Sequence, residues 1–139
     1  MFTPVSTRSA SAYKRVGVQT SIDGASPHQL ICLLFDALLL SLAKARAAIA
    51  RGDVELKGKE IGRAIRILEE GLKCGLNLEQ GGELAQNLDR LYGYCVVRLT
   101  QANARNDVAA LEEVLRLVEP LADGWRQIGT AGASQLMAA

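Results

Sequence analysis

The stretch ASPHQLICLLFDALLLSLAKARAAIARGD, residues 25–53, decides the fold. Ser26 is a favoured helix N-cap, Pro27 suits the first helical position because it has no amide hydrogen to satisfy, and Gln29 can complete a capping box. From there to Gly52 no glycine or proline interrupts the chain, so the stretch predicts one long helix. Helical spacing assigns its core face to Ile31, Leu34, Phe35, Leu38, Leu42, Ala45 and Ile49.

Three further helical patterns follow. The second is predicted from about residue 53 to 75, with a core face of Val54, Ile61, Ala64, Ile65, Leu68 and Leu72. The third begins near Gly82 and has a core seam of Leu84, Leu88, Leu91, Cys95, Leu99 and Ala102. The fourth follows a break at 103–107 and has a core stripe of Leu111, Val114, Leu115, Val118, Ala122 and Trp125. Short connections favour antiparallel neighbours, so we predict an all-α, antiparallel up-down four-helix bundle over residues 26–128.

Both ends of the chain lack this periodicity. Residues 1–25 are rich in Ser, Thr and Gly and are predicted to form a flexible N-terminal arm. Residues 129–139 carry no charge and no sustained apolar face, so they are predicted to be a disordered C-terminal tail. Within the fourth pattern, Pro120 predicts a kink or a restart of the helix, because proline removes one intrahelical hydrogen bond.

Composition excludes several classes of function. The 139-residue chain has 16 basic and 15 acidic side chains, a net charge of +1, so no strong field draws it to nucleic acid. No apolar run approaches the roughly 18 residues that a membrane span needs, so membrane insertion is not expected. The N-terminus lacks the apolar core of a secretory signal, and the odd number of cysteines favours a reducing compartment. We therefore expect a cytosolic protein.

Residues with catalytic potential are sparse. His28 is the single histidine, and its place in the first turn of a helix favours a structural or capping role over a general base. No pair of cysteines has metal-ligand spacing, and no Glu-x-x-His motif of a di-iron bundle occurs. We therefore predict no enzyme activity, no cofactor, and no catalytic or metal site.

The positive signal is surplus apolar surface on the shoulders of the helical stripes. It comprises Leu33, Leu40, Ile67, Tyr92 and Val96. One interpretation is a broad core or a homodimer face. The other is a groove for an amphipathic helix of a partner, covered by the arm around Tyr13 when no partner is bound. The residues alone leave both interpretations open.

The order of motifs adds a resemblance to a known family. The motifs are Ala12-Tyr13, ASPHQLICLLFDALL at 25–39, KGKEIGRAIRILEEGL at 57–72, LNLEQGGELAQNLDRLYGY at 76–94, RLTQANARND at 98–107, and Trp125. Over about residues 12–128 they resemble the flagellar export chaperone family FliS. The most specific parts of this resemblance are the helix start at 25–28 and the segment at 81–85. Phe35 stands where the family often has tyrosine, and Gly93 where it usually has aspartate.

The resemblance implies a four-helix bundle without catalytic activity that works in the cytosol. It further implies binding of the disordered C-terminal region of flagellin, prevention of premature polymerisation, and delivery to the flagellar type III export gate. Tyr13 matches the family's N-terminal tyrosine. The candidate partner-binding residues are therefore Tyr13, Leu33, Leu40, Ile67, Tyr92 and Val96. The alternative is a helical homodimer that serves as a structural or regulatory interaction module.

Overall fold

The computed structural model describes the backbone of residues 25–136 and the side chains of residues 25–129. Its helices are α1 (Pro27–Arg51), α2 (Val54–Arg66), α3 (Gly82–Arg105) and α4 (Val108–Leu136), and α2 passes directly into a π-helical segment, Ile67–Lys73. Helix α1 packs against α2 and α4, and α3 packs against the same two helices. The four helices thus form a ring with short connections, which confirms the predicted four-helix bundle.

The start of α1 has the predicted capping box. The Gln29 backbone amide donates to Ser26 Oγ at 3.1 Å, and the Ser26 amide donates to Gln29 Oε1 at 2.8 Å. At the other end Gly52 takes the left-handed conformation, with φ of 72°, and its amide bonds back to the last turn. These two caps set the length of the helix that forms the centre of the fold.

The core contains the predicted stripes of all four helices apart from two residues, and it also includes Leu30 and Ile67, which those stripes leave out. The largest fully buried side chains are Leu30, Leu34, Leu38, Leu42, Ile61, Ile67, Leu68, Leu99, Leu111 and Val114. The assignments of Val54 and Leu84 to the core are wrong, because their exposed fractions are 66% and 56%. Each lies in the first turn of its helix, at an end of the bundle where fewer neighbouring residues cover it.

The prediction that Ile67 and Tyr92 add to a surplus of exposed apolar surface is also wrong. Ile67 is fully buried and Tyr92 retains 4% of its exposure. The chain from α2 into the π-helical segment contacts both α1 and α3, so it buries a wider arc than the single stripe predicted from the sequence. Ile67 is therefore a core residue, and it offers no accessible surface to a partner.

Helix α4 does not restart at Pro120. The backbone stays helical through this residue and departs from helical geometry at Gly129, which has φ of 69°. The carbonyl that loses its partner is that of Arg116, and both Arg116 and Pro120 are exposed, so water can satisfy it. Of the predicted C-terminal tail, residues 130–136 have a helical backbone, while 137–139 lie outside the described residues. Of the predicted arm, the structure describes residue 25.

Lys57 is a buried cation that joins α2 to the end of α3. Its side-chain ammonium donates to the Asn103 backbone oxygen at 2.9 Å and to Asn106 Oδ1. Asn106 has a left-handed conformation and ends α3, so the charge lies at the negative end of that helix's dipole. Two charge-assisted hydrogen bonds therefore offset the desolvation of the ammonium.

Replacing Lys57 by methionine keeps the apolar stem and removes both hydrogen bonds. We expect the variant to lose about 1 to 2 kcal/mol of unfolding free energy, measured by urea denaturation. Lys59 is exposed on the same helix, so Lys59→Met is the control and should stay within about 0.5 kcal/mol of the wild type. Equal stability of the two variants would contradict a fastening role for Lys57.

Candidate functional site: an apolar groove between α3 and α4

An apolar groove of about 190 Å³ lies between α3 and the C-terminal part of α4. It is lined by Phe35, Leu84, Leu88, Tyr92, Pro120, Leu121, Gly124, Trp125 and Ile128. A smaller cavity of about 20 Å³ reaches toward α1 and the π-helical segment and shares Leu88, Tyr92 and Trp125 with it. We call the larger depression the α3–α4 groove. Its lining carries no charged side chain.

Helical spacing explains why the depression exists. Pro120, Gly124 and Ile128 lie four residues apart on α4 and so share one face of that helix. Gly124 has no side chain and Pro120 has a compact ring, so neither fills the space beside α3. Opposite them, Leu84 and Leu88 are also four apart on α3. The result is two apolar rows separated by a gap, which is a shape suited to the side chains of a third helix.

Part of the groove lining is open to solvent. Leu84 and Ile128 are both exposed large apolar residues, whereas Phe35, Tyr92 and Trp125 form a buried floor and wall. An exposed apolar surface with a depression is typical of a binding site for another protein. Burial of this surface by a partner would release water from apolar side chains and favour association.

Trp125 is fixed in place by contacts with the first turn of α1. Its indole Nε1–H donates to the His28 backbone oxygen at 3.1 Å, and His28 Nε2 lies 2.6 Å from the Trp125 backbone oxygen. The two rings are stacked, with centroids 5.6 Å apart and an interplanar angle of 21°. The Trp125 wall of the groove is therefore anchored to α1. Helix α1 itself borders the groove only through Phe35.

Beyond the groove, polar contacts join α3 to α4. Tyr94 Oη donates to Glu113 Oε2 at 2.8 Å, and Arg98 Nε donates to Glu113 Oε1 at 2.6 Å. These hydrogen bonds from Tyr94 and Arg98 hold the pKa of the Glu113 carboxyl below its usual range. A lowered pKa means that this contribution to stability is present at neutral pH and is lost as the pH falls through the folded-state value. The seam between α3 and α4 therefore has an apolar end and a polar end.

Two of the three cysteine thiols are in surroundings that disfavour the thiolate. Burial raises the pKa of the Cys95 thiol to about 11, and burial also raises the pKa of Cys32, so both are protonated at neutral pH. Between residues 25 and 129, no three His, Cys, Asp or Glu side chains come close enough together to hold a metal ion. The chemistry offered by the α3–α4 groove is apolar contact.

The residues predicted to bind a partner do not form one cluster. Tyr92 lines the α3–α4 groove, whereas Leu33, Leu40 and Val96 do not. Leu40 is exposed on α1, and Leu33 and Val96 are half-buried. Tyr13 lies outside the described residues, so its predicted role as part of a cover stays a prediction.

Several groove residues escaped the sequence prediction. The sequence prediction places Leu84, Leu88 and Trp125 in core stripes and gives no role to Leu121, Gly124 and Ile128. The spacing of Pro120 and Gly124, two residues of small bulk one turn apart, is the signal that could have located the depression.

The sequence is similar to a known family over most of its length. The model of the family "Flagellar protein FliS" matches residues 9–132. The flagellar secretion chaperone FliS of Salmonella typhimurium is 47% identical over 124 residues, which is 89% of this chain and 92% of that protein. The corresponding protein of Escherichia coli is 42% identical over 86% of this chain and 88% of its own length. FliSB of Pseudomonas aeruginosa is 45% identical over 81% and 89%.

The fold has a solved counterpart as well. A crystal structure of a bacterial flagellar chaperone superposes with a TM-score of 0.67 at 20% identity and covers 84% of this chain and 94% of its own. Within residues 25–136, no helix combines the length and the hydropathy that crossing a bilayer would demand. Family match, identity and fold agree: the chain belongs to the FliS family of flagellar secretion chaperones.

Proposed function

We propose that this chain is a cytosolic chaperone that binds the C-terminal region of flagellin, with the α3–α4 groove as the principal contact. The observation that carries the proposal is an open apolar groove on a member of a flagellar secretion chaperone family. A groove between two helices accepts the apolar stripe of a third helix, with side chains at i, i+3, i+4 and i+7 as anchors. Flagellin would supply that helix.

In this account, the C-terminal segment is disordered while flagellin is monomeric, and it folds as it binds the chaperone. Folding a segment on binding consumes part of the contact energy, so a large interface can remain reversible. Reversibility is needed because the cargo must leave the chaperone at the flagellar export gate. Burial of the cargo's apolar stripes meanwhile prevents premature polymerisation and keeps that segment in a state suited to export.

The other predicted contacts are proposed as secondary ones. Leu40 is exposed and Leu33 and Val96 are half-buried, so a cargo segment that continues beyond the α3–α4 groove could rest on them. We also propose that the arm around Tyr13 covers part of the binding surface in the free protein. Displacement of this arm by cargo would then slow association, so deletion of residues 1–20 should speed it.

Inhibition of flagellin polymerisation tests the proposal. Monomeric flagellin is mixed with short filament seeds, and growth is followed by light scattering. We expect suppression that rises with added chaperone and is complete near a one-to-one ratio, because each bound tail is withheld from the filament. Growth that is unaffected by a molar excess of folded chaperone would contradict the proposal. The control is a labelled flagellin that is truncated within its C-terminal region. It is tested for binding to the chaperone and should bind less than intact flagellin.

Sedimentation separates this function from the homodimer alternative. The exposed apolar residue Leu40 would also suit a surface that meets a second copy. We expect a monomer at low micromolar concentration and a one-to-one complex with cargo. A dimer that persists at that concentration would favour the alternative.

A further inference from the structure

We propose that His28 is a positioning residue for cargo recognition, which holds the Trp125 indole as the wall of the α3–α4 groove. The inference rests on the proposed function, because it concerns the affinity of the groove for cargo. Trp125 lines both the groove and the adjoining cavity, so the orientation of its ring decides the shape of both. His28 contacts Trp125 and does not line either of them.

The two residues exchange hydrogen bonds in both directions. Each residue contributes a ring nitrogen and a backbone carbonyl. The indole nitrogen lies 3.1 Å from the His28 backbone oxygen, and the imidazole Nε2 lies 2.6 Å from the Trp125 backbone oxygen. A carbonyl oxygen can only accept, so His28 Nε2 carries the proton in this pair. The stacked rings fill the space between the two bonds. A side chain held at its polar edge and across its face has little freedom to change rotamer.

The position of Trp125 in α4 is one where a backbone carbonyl can accept a hydrogen bond from another helix. Trp125 lies four residues before Gly129, where the backbone leaves helical geometry. In the last turn of a helix the carbonyl groups lose their usual amide partners and are satisfied by groups from outside. His28 supplies one such group from the first turn of α1. The same imidazole therefore caps the end of the regular part of α4 and orients the wall of the groove.

Removal of the imidazole takes away the ring that stacks on the indole and leaves the indole its hydrogen bond to the backbone oxygen of residue 28. Cargo would then bind a wall that it must first order, and the ordering of one large side chain lowers affinity by about threefold to tenfold. Alanine at position 28 removes both the hydrogen bond and the stack. Glutamine retains an amide N–H at a similar distance from the backbone, so it can still donate to the Trp125 carbonyl.

The single tryptophan of the chain makes the test direct, because fluorescence reports Trp125 alone. Acrylamide quenching is measured on the free protein for the wild type, His28→Ala, His28→Gln and Asp36→Ala. Asp36 pairs with Arg126 and also joins α1 to α4, so its variant controls for general loosening between these helices. The affinity of each variant for a peptide of the flagellin C-terminal region is measured by calorimetry, at a temperature where circular dichroism shows all four folded.

We expect His28→Ala to be quenched more strongly and to bind about threefold to tenfold more weakly, and Asp36→Ala to stay close to the wild type. His28→Gln should fall between His28→Ala and the wild type, because it keeps the hydrogen bond to the Trp125 carbonyl and loses the stacked ring. Unchanged quenching and affinity in His28→Ala would overturn the inference. An equal change in Asp36→Ala would overturn it too, because loosening of the helices would then be sufficient. If the wild type does not bind the peptide, the proposed function fails, and the quenching data alone decide whether His28 holds the indole.

Discussion

Replacing Leu84 and Ile128 together by aspartate is expected to weaken binding of the flagellin C-terminal region by at least about 100-fold. Both side chains line the α3–α4 groove and are exposed in the free protein. In the complex, the apolar face of the cargo would cover two carboxylates that have no cationic partner in the groove lining. Burial of an unpaired charge is among the costliest changes at an interface.

A matched control distinguishes loss of the groove from loss of the fold. Val54 is also an exposed apolar residue in the first turn of a helix, but it lies at the opposite end of the bundle. Val54→Asp should therefore bind cargo within about twofold of the wild type. Circular dichroism should show the same helix content in both variants. Binding by the double variant within tenfold of the wild type would exclude the α3–α4 groove as the principal contact.

Replacing Leu34 by alanine is expected to lower the free energy of unfolding by about 3 kcal/mol or more. Leu34 is fully buried in the middle of the core face of α1. Its removal deletes apolar contacts and leaves a cavity that the surrounding helices can only partly fill. A total stability of about 5 to 15 kcal/mol is usual for a domain of this size, so this single change is a large fraction of it.

Gly71 makes the prediction at Leu34 more specific. A Cβ atom added at Gly71 would come within 3.1 Å of Leu34 Cδ2, which is closer than ordinary packing allows. Gly71→Ala should therefore gain little or lose stability in the wild type. In the Leu34→Ala background the obstacle is gone, so the same substitution should stabilise by about 0.5 to 1 kcal/mol or more, because it also fills part of the cavity.

Gly62 is the control for this pair. A Cβ atom added at Gly62 meets nothing within 4 Å, so Gly62→Ala should raise stability by about the same 0.5 to 1 kcal/mol in both backgrounds. Urea denaturation of the six proteins gives the coupling free energy for each glycine. A zero coupling between positions 34 and 71 would show that the π-helical segment does not pack against α1 as closely as the structure indicates.

The sequence predicts the fold well because the strongest signals are local. Ser26 and Gly52 set the two ends of α1 through capping chemistry that involves neighbouring residues only. The core stripes follow from helical spacing, which is the same whichever helices come together. Leu34 and Leu38 are therefore identified as core without any knowledge of the neighbouring helices.

The site is less predictable because a groove depends on what lies opposite. Leu84 and Leu99 both belong to the predicted core seam of α3, yet Leu84 is exposed and Leu99 is fully buried. The α3–α4 groove in which Leu84 lies is bordered across the gap by Pro120 and Gly124, which provide little bulk. A helical wheel places a residue on a face and says nothing about the depth of the neighbouring surface. The prediction for Ile67 fails for the converse reason, since two neighbouring helices bury more of the π-helical segment than one stripe suggests.

The measurement that tests the central claim most directly is a calorimetric titration of the protein with the last roughly forty residues of its own organism's flagellin, repeated at several temperatures, with circular dichroism of the mixture. The account predicts a one-to-one complex, a negative heat-capacity change from burial of apolar surface, and a gain in helix beyond the sum of the parts. No heat and no added helix at tens of micromolar, from protein shown to be folded, would contradict it.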